Sequence, residues 1–280
     1  MRFLPVFVLS FVSSLVQAAE LIDLYSSQSL QDHAPVIIGH RGGAVVDGIP
    51  ENSIEALRIA AERGYAMVEV DVRSTADGVA IAFHDDELLA HVGVPGSIEA
   101  MTLEQVRQLH YLEGDGFAVL TLAESLREAG RLGLGVMLDI KSGQESAAFY
   151  AEIAALLREF GLTRATMTIS RHENTRLYLQ GLVMQRVSND DWERLKAGEQ
   201  LDLSGQVWFD WPRYITNEEI RQLQEAGAIV VPSINVFHYP EDEHLARANA
   251  DIQRMREAGV DAYQIDAPYD QMVLQKNSGK

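Results

Sequence analysis

Val36-Ile37-Ile38-Gly39 runs straight into His40-Arg41-Gly42-Gly43, and the next apolar run, Met67-Val68-Glu69-Val70-Asp71-Val72-Arg73, alternates apolar with ionisable side chains. Period two puts Glu69, Asp71 and Arg73 on one face of a strand and Val68, Val70 and Val72 on the other. Two carboxylates on one strand face share a small space. A third run, Val79-Ala80-Ile81-Ala82-Phe83, ends in His84-Asp85-Asp86. The link between them, Ser74-Thr75-Ala76-Asp77-Gly78, carries the Asp-Gly pair of a tight turn and predicts a hairpin. A turn centred between Ala76 and Asp77 sets His84 opposite Glu69; one centred between Asp77 and Gly78 sets it opposite Asp71. Either register brings an imidazole within reach of two carboxylates. With no cysteine or nucleophilic serine among them, these groups suit a hard, oxygen-ligated cation beside a general acid or base.

Outward from this stretch the pattern is a strand, a loop over 44–50, a helix capped by Asn52 or Ser53 and running to Arg63, and then the second strand. Such a unit predicts a parallel pair. Beyond the hairpin, 87–101 reads as a loop, Thr102 caps a short helix, the Glu113-Gly114-Asp115-Gly116 stretch reads as a connection, and a helix starts near Thr121. From there strands are expected at 135–141, 165–170, 183–187, 207–210, 229–235 and 262–266, with helices at 145–160, 173–181, 216–226 and 243–258. Setting the third run aside as a hairpin arm leaves eight parallel strands, the number that closes a barrel. The expected fold is a single (β/α)8 TIM barrel, class α/β, with a β-hairpin inserted after the second strand. Periodicity alone does not separate this from an open doubly wound sheet, but no Gly-x-Gly-x-x-Gly follows the first strand, which argues against a dinucleotide fold.

A chain of 280 residues, 47% hydrophobic and 23% charged, has room for one such domain, expected over 34–275. Residues 20–34 show no periodicity and read as a lead-in, with His33 at the surface. Met1-Arg2, an apolar stretch over 3–16 and Val16-Gln17-Ala18 before Ala19 predict a secretory signal peptide over 1–18, and so a periplasmic or secreted protein. The absence of cysteine removes lipid attachment and disulfides. A formal charge of −18 argues against nucleic acid or an anionic membrane as a partner, and no apolar docking helix predicts stable membrane insertion after signal removal. An anionic substrate then needs local cations, for which Arg41 and Lys141 are the candidates.

His40-Arg41-Gly42, Pro50-Glu51-Asn52-Ser53, Glu69-x-Asp71-Val72, Thr75-x-Asp77-Gly78 and His84-Asp85, followed by Leu138-Asp139-Ile140-Lys141, together resemble the signature of the glycerophosphodiester phosphodiesterase family. The resemblance implies a site at the carboxyl ends of the barrel strands, with Glu69, Asp71 and Asp139 holding Mg²⁺ or Ca²⁺. It implies His40 and His84 as the acid–base pair, Arg41 and Lys141 on the phosphate, and Glu51 and Asn52 orienting Arg41 or a metal ligand. Asp139 stands where many members have glutamate, in an Asp-x-Lys pattern similar to that of phospholipase D toxins of the same fold. The rear departs further: Pro232 replaces a customary tryptophan and Ile265-Asp266 replaces Thr-Asp. The implied substrate is a small glycerophosphodiester such as glycerophosphocholine or glycerophosphoethanolamine, cleaved to glycerol 3-phosphate and an alcohol. A rival enzyme would use the same machinery on a lysophospholipid or another phosphodiester, and a rival outside enzymology would bind phosphodiesters or cations without turnover. His172 is expected to face the mouth. Trp208 and Trp211, flanking Asp210, suit either the leaving-group side or the core, and 238–244 reads as an acidic surface loop rather than a metal cluster.

Overall fold

The computed structural model describes residues 20–43, 45–114, 116–143 and 145–274; the expected signal peptide lies outside them. Ten strands are formed: β1 (Val36–Gly39), β2 (Met67–Ser74), β3 (Ala80–Ala82), β4 (Leu120–Thr121), β5 (Gly135–Ile140), β6 (Thr166–Thr168), β7 (Gln185–Arg186), β8 (Gln206–Asp210), β9 (Ile229–Ile234) and β10 (Ala262–Ile265). Eight of them pair in parallel around a ring. β1, β2, β5 and β6 follow one another on one side, and β7, β8, β9 and β10 return to β1 on the other. The ring closes between β6 and β7 through the parallel pair Met167 and Met184, where Thr168 N donates to Met184 O at 2.9 Å and Met184 N to Thr166 O at 3.1 Å. The expected barrel count holds.

Alternation along the strands sorts the side chains into two layers. Ile37, Val68, Val70, Val72, Val136 and Leu138 face outward into a core shared with the helices. Val36, Ile38, Met67, Met137, Met167, Met184, Val207 and Val231 face inward and fill the barrel floor. On β2 and β5 the inward positions above Met67 and Met137 are Glu69, Asp71 and Asp139, so the interior changes from apolar floor to acidic mouth within two residues.

The lead-in is not the featureless segment expected. Ser26 caps a helix over Ser27–Asp32, while Ile22 and Leu24, 1% and 3% exposed, plug the amino-terminal end of the barrel. His33, half-buried, ties this segment together through contacts with Ser29 O at 2.7 Å and Glu20 O at 3.0 Å. The sequence hid this because isolated apolar residues gain burial only from a barrel floor built elsewhere. Leu24→Ala is expected to cost about 2–5 kcal/mol of stability in urea unfolding; an unchanged midpoint would remove the plug from the core.

The hairpin also corrects the expected register. Val72 pairs with Ala82 and Arg73 with Ile81, so the turn centres on Asp77 and neither Glu69 nor Asp71 lies directly opposite His84. Thr75 closes the loop, its N–H donating to Val79 O and its Oγ1 accepting from Val79 N, each at 2.9 Å. The segment after β3, expected as a loop, contains the short helix Leu89–Val92. Phe83, Leu88, Val92, Ile98, Val106 and Tyr111 pack with Ile81 into a small core of their own, which holds His84 over the mouth. The helix Asn189–Lys196 was not expected, because Leu195 is its one buried residue and no apolar stripe announces it.

Candidate active site

β1 delivers His40 at its carboxyl end, with His40 N donating to Ile265 O at 3.0 Å. The chain then turns through Arg41, Gly42 and Gly43, with φ of 53°, 84° and 137°. Glycine is required at the last two: a Cβ on Gly42 would lie 2.5 Å from Asn52 Cα, and one on Gly43 would lie 2.4 Å from Ala56 O. Arg41 and Asn52 both hold a left-handed backbone (φ 53°), which costs a non-glycine residue roughly 1 kcal/mol or more. Hydrogen bonds compensate it. Asn52 N donates to Arg41 O at 2.7 Å, and Arg41 N donates to Glu69 Oε2 at 2.8 Å.

Glu69, Asp71 and Asp139 each offer an oxygen within 4.8 Å of the others, as the cross-strand pairing of Asp71 with Asp139 requires. Lys141 Nζ sits 2.7 Å from Asp71 Oδ1 and 2.7 Å from Asp139 Oδ2. Asn52 Nδ2 donates to the other Asp71 oxygen at 3.2 Å. Burial, reinforced by Asp71 and Asp139, pushes the Glu69 carboxyl well above the usual range. Asp71 is equally buried, yet the Lys141 ammonium and the nearby histidines outweigh that and hold it below the usual range. Burial works against the charge on Lys141, but Asp71 and Asp139 prevail and raise it. Three carboxylates thus face one ammonium at this point of the mouth.

The two histidines lie at the same mouth, each with Nδ1 on a carboxylate. His40 Nδ1 is 2.6 Å from Asp266 Oδ1, and its Nε2 is 3.4 Å from Asn235 Nδ2. Burial acts to raise the Asp266 carboxyl, but the His40 bond prevails and holds it low. His84 Nδ1 makes a short contact with Asp85 Oδ1, whose other oxygen is 2.7 Å from His91 Nε2. His84 Nε2 is 3.4 Å from Arg41 Nη2, and Arg41 Nη1 donates to Glu51 Oε2 at 2.7 Å. Arg73 shares the acids' strand face but lies past the rim. It donates to His84 O from Nε and Nη2 at 3.0 and 2.6 Å and pairs with Glu99 at 2.7 Å, anchoring the loop rather than facing the acids.

All nine residues singled out from the sequence meet here. Asp266, Asn235 and His91 were missed as site residues. The first two each stand directly after a barrel strand, β10 and β9, a position that marks the mouth without tying them to His40. His172 stands beside the site, its Nε2 3.3 Å from Lys141 O. Trp208 belongs to the core against Trp192, while Trp211 stacks on His238 at 4.4 Å. Burial pushes His238 down to about 4 and His244 contacts Tyr269 OH at 2.9 Å. Among the described residues, the group of acidic and imidazole donors that could meet on one metal is the Glu69, Asp71 and Asp139 triad.

The model of the glycerophosphoryl diester phosphodiesterase family matches residues 40–269. Glycerophosphodiester phosphodiesterase 1 of Mus musculus is 34% identical over 118 residues, 40% of this chain and 35% of that protein. The probable glycerophosphodiester phosphodiesterase 2 of Mycobacterium tuberculosis is 34% identical over 107 residues, 38% of this chain and 39% of that one. The match therefore spans little more than a third of these relatives. A glycerophosphoryl diester phosphodiesterase structure from Parabacteroides distasonis superposes with a TM-score of 0.67 at 21% identity, covering 93% of this chain and 96% of that one. A phosphodiesterase of Oleispira antarctica, solved with the product sn-glycerol-3-phosphate, gives 0.66 at 21% identity over 87% and 97%. These two carry the fold, and the family model, which spans most of the sequence, carries the kinship: the chain belongs to the glycerophosphoryl diester phosphodiesterase family.

Proposed function

We propose that this protein hydrolyses glycerophosphodiesters to sn-glycerol 3-phosphate and an alcohol, with Mg²⁺ or Ca²⁺ held by Glu69, Asp71 and Asp139. The observation that carries the reading is the meeting of two carboxylate-backed imidazoles with an acidic triad at one barrel mouth. The donor set fits the ion: three carboxylates, with no thiolate and no imidazole among them. When bound, the cation supplies Lewis-acid polarisation of the phosphoryl oxygens and orients the attacking oxygen.

The chain's own residues do the rest. Asp266 and Asp85 hold the Nδ1 protons of His40 and His84, and each Nε2, which lies 3.4 Å from Asn235 Nδ2 or Arg41 Nη2, exchanges a proton with the substrate in place of that contact. One imidazole takes the proton of the attacking oxygen and the other returns one to the leaving alkoxide. Arg41, steadied by Glu51, and Lys141 stabilise the charge that builds on the phosphoryl oxygens. Export through residues 1–18 remains part of the same reading.

The test is a product assay on glycerophosphocholine and glycerophosphoethanolamine with and without EDTA. Chelation is expected to remove at least about 10² of the rate, restored by Mg²⁺ or Ca²⁺. Cleavage indifferent to EDTA would end the metal role, and tight binding without cleavage would make the protein a phosphodiester receptor.

A further inference from the structure

Beside the acidic mouth, between the carboxyl ends of β6, β7 and β8, lie two adjoining cavities of about 220 and 200 Å³ that share Arg171 and Arg186 in their walls. The first is also lined by Arg176 and Gln185. Three arginines around one small cavity stand out in a chain of net charge −18. The two arginines common to both walls share one counter-charge. A single oxygen, Asp210 Oδ2, serves both Arg171 Nη2 at 2.8 Å and Arg186 Nη2 at 3.3 Å. Arg176 has its own acid in Asp191 at 3.6 Å, which also meets Arg194 at 3.2 Å, while Arg194 pairs with Glu199 at 3.0 Å. Glu173 is the acid in the first wall itself, and His172 is there too. Gln185 adds a buried Nε2 without a hydrogen-bond partner.

Arg186 is the fixed member. Its side chain is 14% exposed against 60% for Arg171, and its guanidinium lies 5.7 Å from the Phe209 ring centroid. Burial and the Arg171 charge pull Arg186 down to about 10 against the opposing pull of Asp210 and Asp139, as befits a buried cation with too little negative charge around it. The cavity is also tied to the reacting end of the barrel. Ser170 Oγ accepts from Ile140 N at 2.6 Å and His172 contacts Lys141 O, so its wall is bonded to the strand end that carries Asp139 and Lys141.

We propose that Arg171 and Arg186 form a subsite for a carboxylate or phosphate on the alcohol of the diester, so that diesters with an anionic alcohol are the preferred substrates. This rests on the phosphodiesterase reading above and narrows its substrate class. Forked guanidiniums match the two oxygens of a carboxylate or phosphate. The cavity's size suits one such group rather than a whole ligand, which fills roughly 300 Å³ or more.

Glycerophosphoserine and glycerophosphoethanolamine differ by one carboxylate and form the matched pair for the test, assayed with Mg²⁺ or Ca²⁺ present. The wild type is expected to favour the serine diester about tenfold in kcat/KM, the scale of one charge-assisted hydrogen bond. Arg171→Ala should erase that preference while leaving the ethanolamine diester within about twofold. Equal kcat/KM in the wild type, or a preference that survives Arg171→Ala, overturns the subsite. Turnover of neither diester overturns the enzymatic reading instead. Calorimetry with the same pair then decides the subsite: tighter binding of the serine diester, lost in Arg171→Ala, upholds it, and equal affinities overturn it.

Discussion

Alanine at His40 or at His84 is expected to lower kcat by about 10²–10⁴, the contribution of a positioned proton-transfer group. Neither imidazole is among the three carboxylate donors, so substrate KM and cation dependence should change far less than kcat. The two variants should part company in stability. His40→Ala strips Asp266 of its 2.6 Å imidazole partner, leaving a mostly buried carboxylate short of one hydrogen bond, at about 1–3 kcal/mol. In His84→Ala the Asp85 carboxylate keeps His91 at 2.7 Å, and the loss should be smaller. Rates within a few-fold of wild type in both variants would remove histidine from the chemistry altogether.

Glu69→Gln should separate activity from stability with opposite signs. The substitution removes one of the three proposed cation ligands, and turnover is expected to fall by about 10² or more. In EDTA the same variant should be more stable than wild type at pH 7. Glu69 has a folded pKa raised above its unfolded value of 4.5 by burial and by the Asp71 and Asp139 charges. Its ionisation therefore opposes folding, an effect absent below pH 4.5 that grows as pH rises. Glutamine keeps an oxygen for the Arg41 N–H and carries no charge at any pH. Urea midpoints of the two proteins in EDTA should coincide near pH 4 and diverge toward pH 7, the variant on the higher side. A variant less stable than wild type across that range would mean that Glu69 is adequately compensated by Lys141 and the Arg41 N–H.

Much of this was legible because the front of the chain writes its site locally. His40, Glu69, Asp71 and His84 lie on three successive runs whose period-two pattern separates core from mouth, and Asp139 and Lys141 repeat that pattern on β5. The partners of His40 were harder to read. Asp266 and Asn235 are brought to it by barrel closure, since β10 pairs with β1 and with β9, and no local pattern marks them as belonging to a residue more than 190 positions away. The hairpin register failed for a smaller reason: with Thr75 bonding to Val79 the turn centres on a residue, whereas both expected registers centred it between residues. Arg186 ends the two-residue β7 and Arg171 lies three residues past the end of β6, in a stretch with little periodicity, and one carboxylate, Asp210, draws them together only in three dimensions.

The acids and His40 sit on the barrel wall itself, whereas His84 hangs from the hairpin with a core separate from the barrel's. Divergence can therefore act on the two parts independently. On the proposed mechanism, remodelling residues 75–119 alone would discard one of its two proton carriers and spare the proposed anchorage for ion and phosphate, turning a catalyst into a receptor in a single evolutionary step.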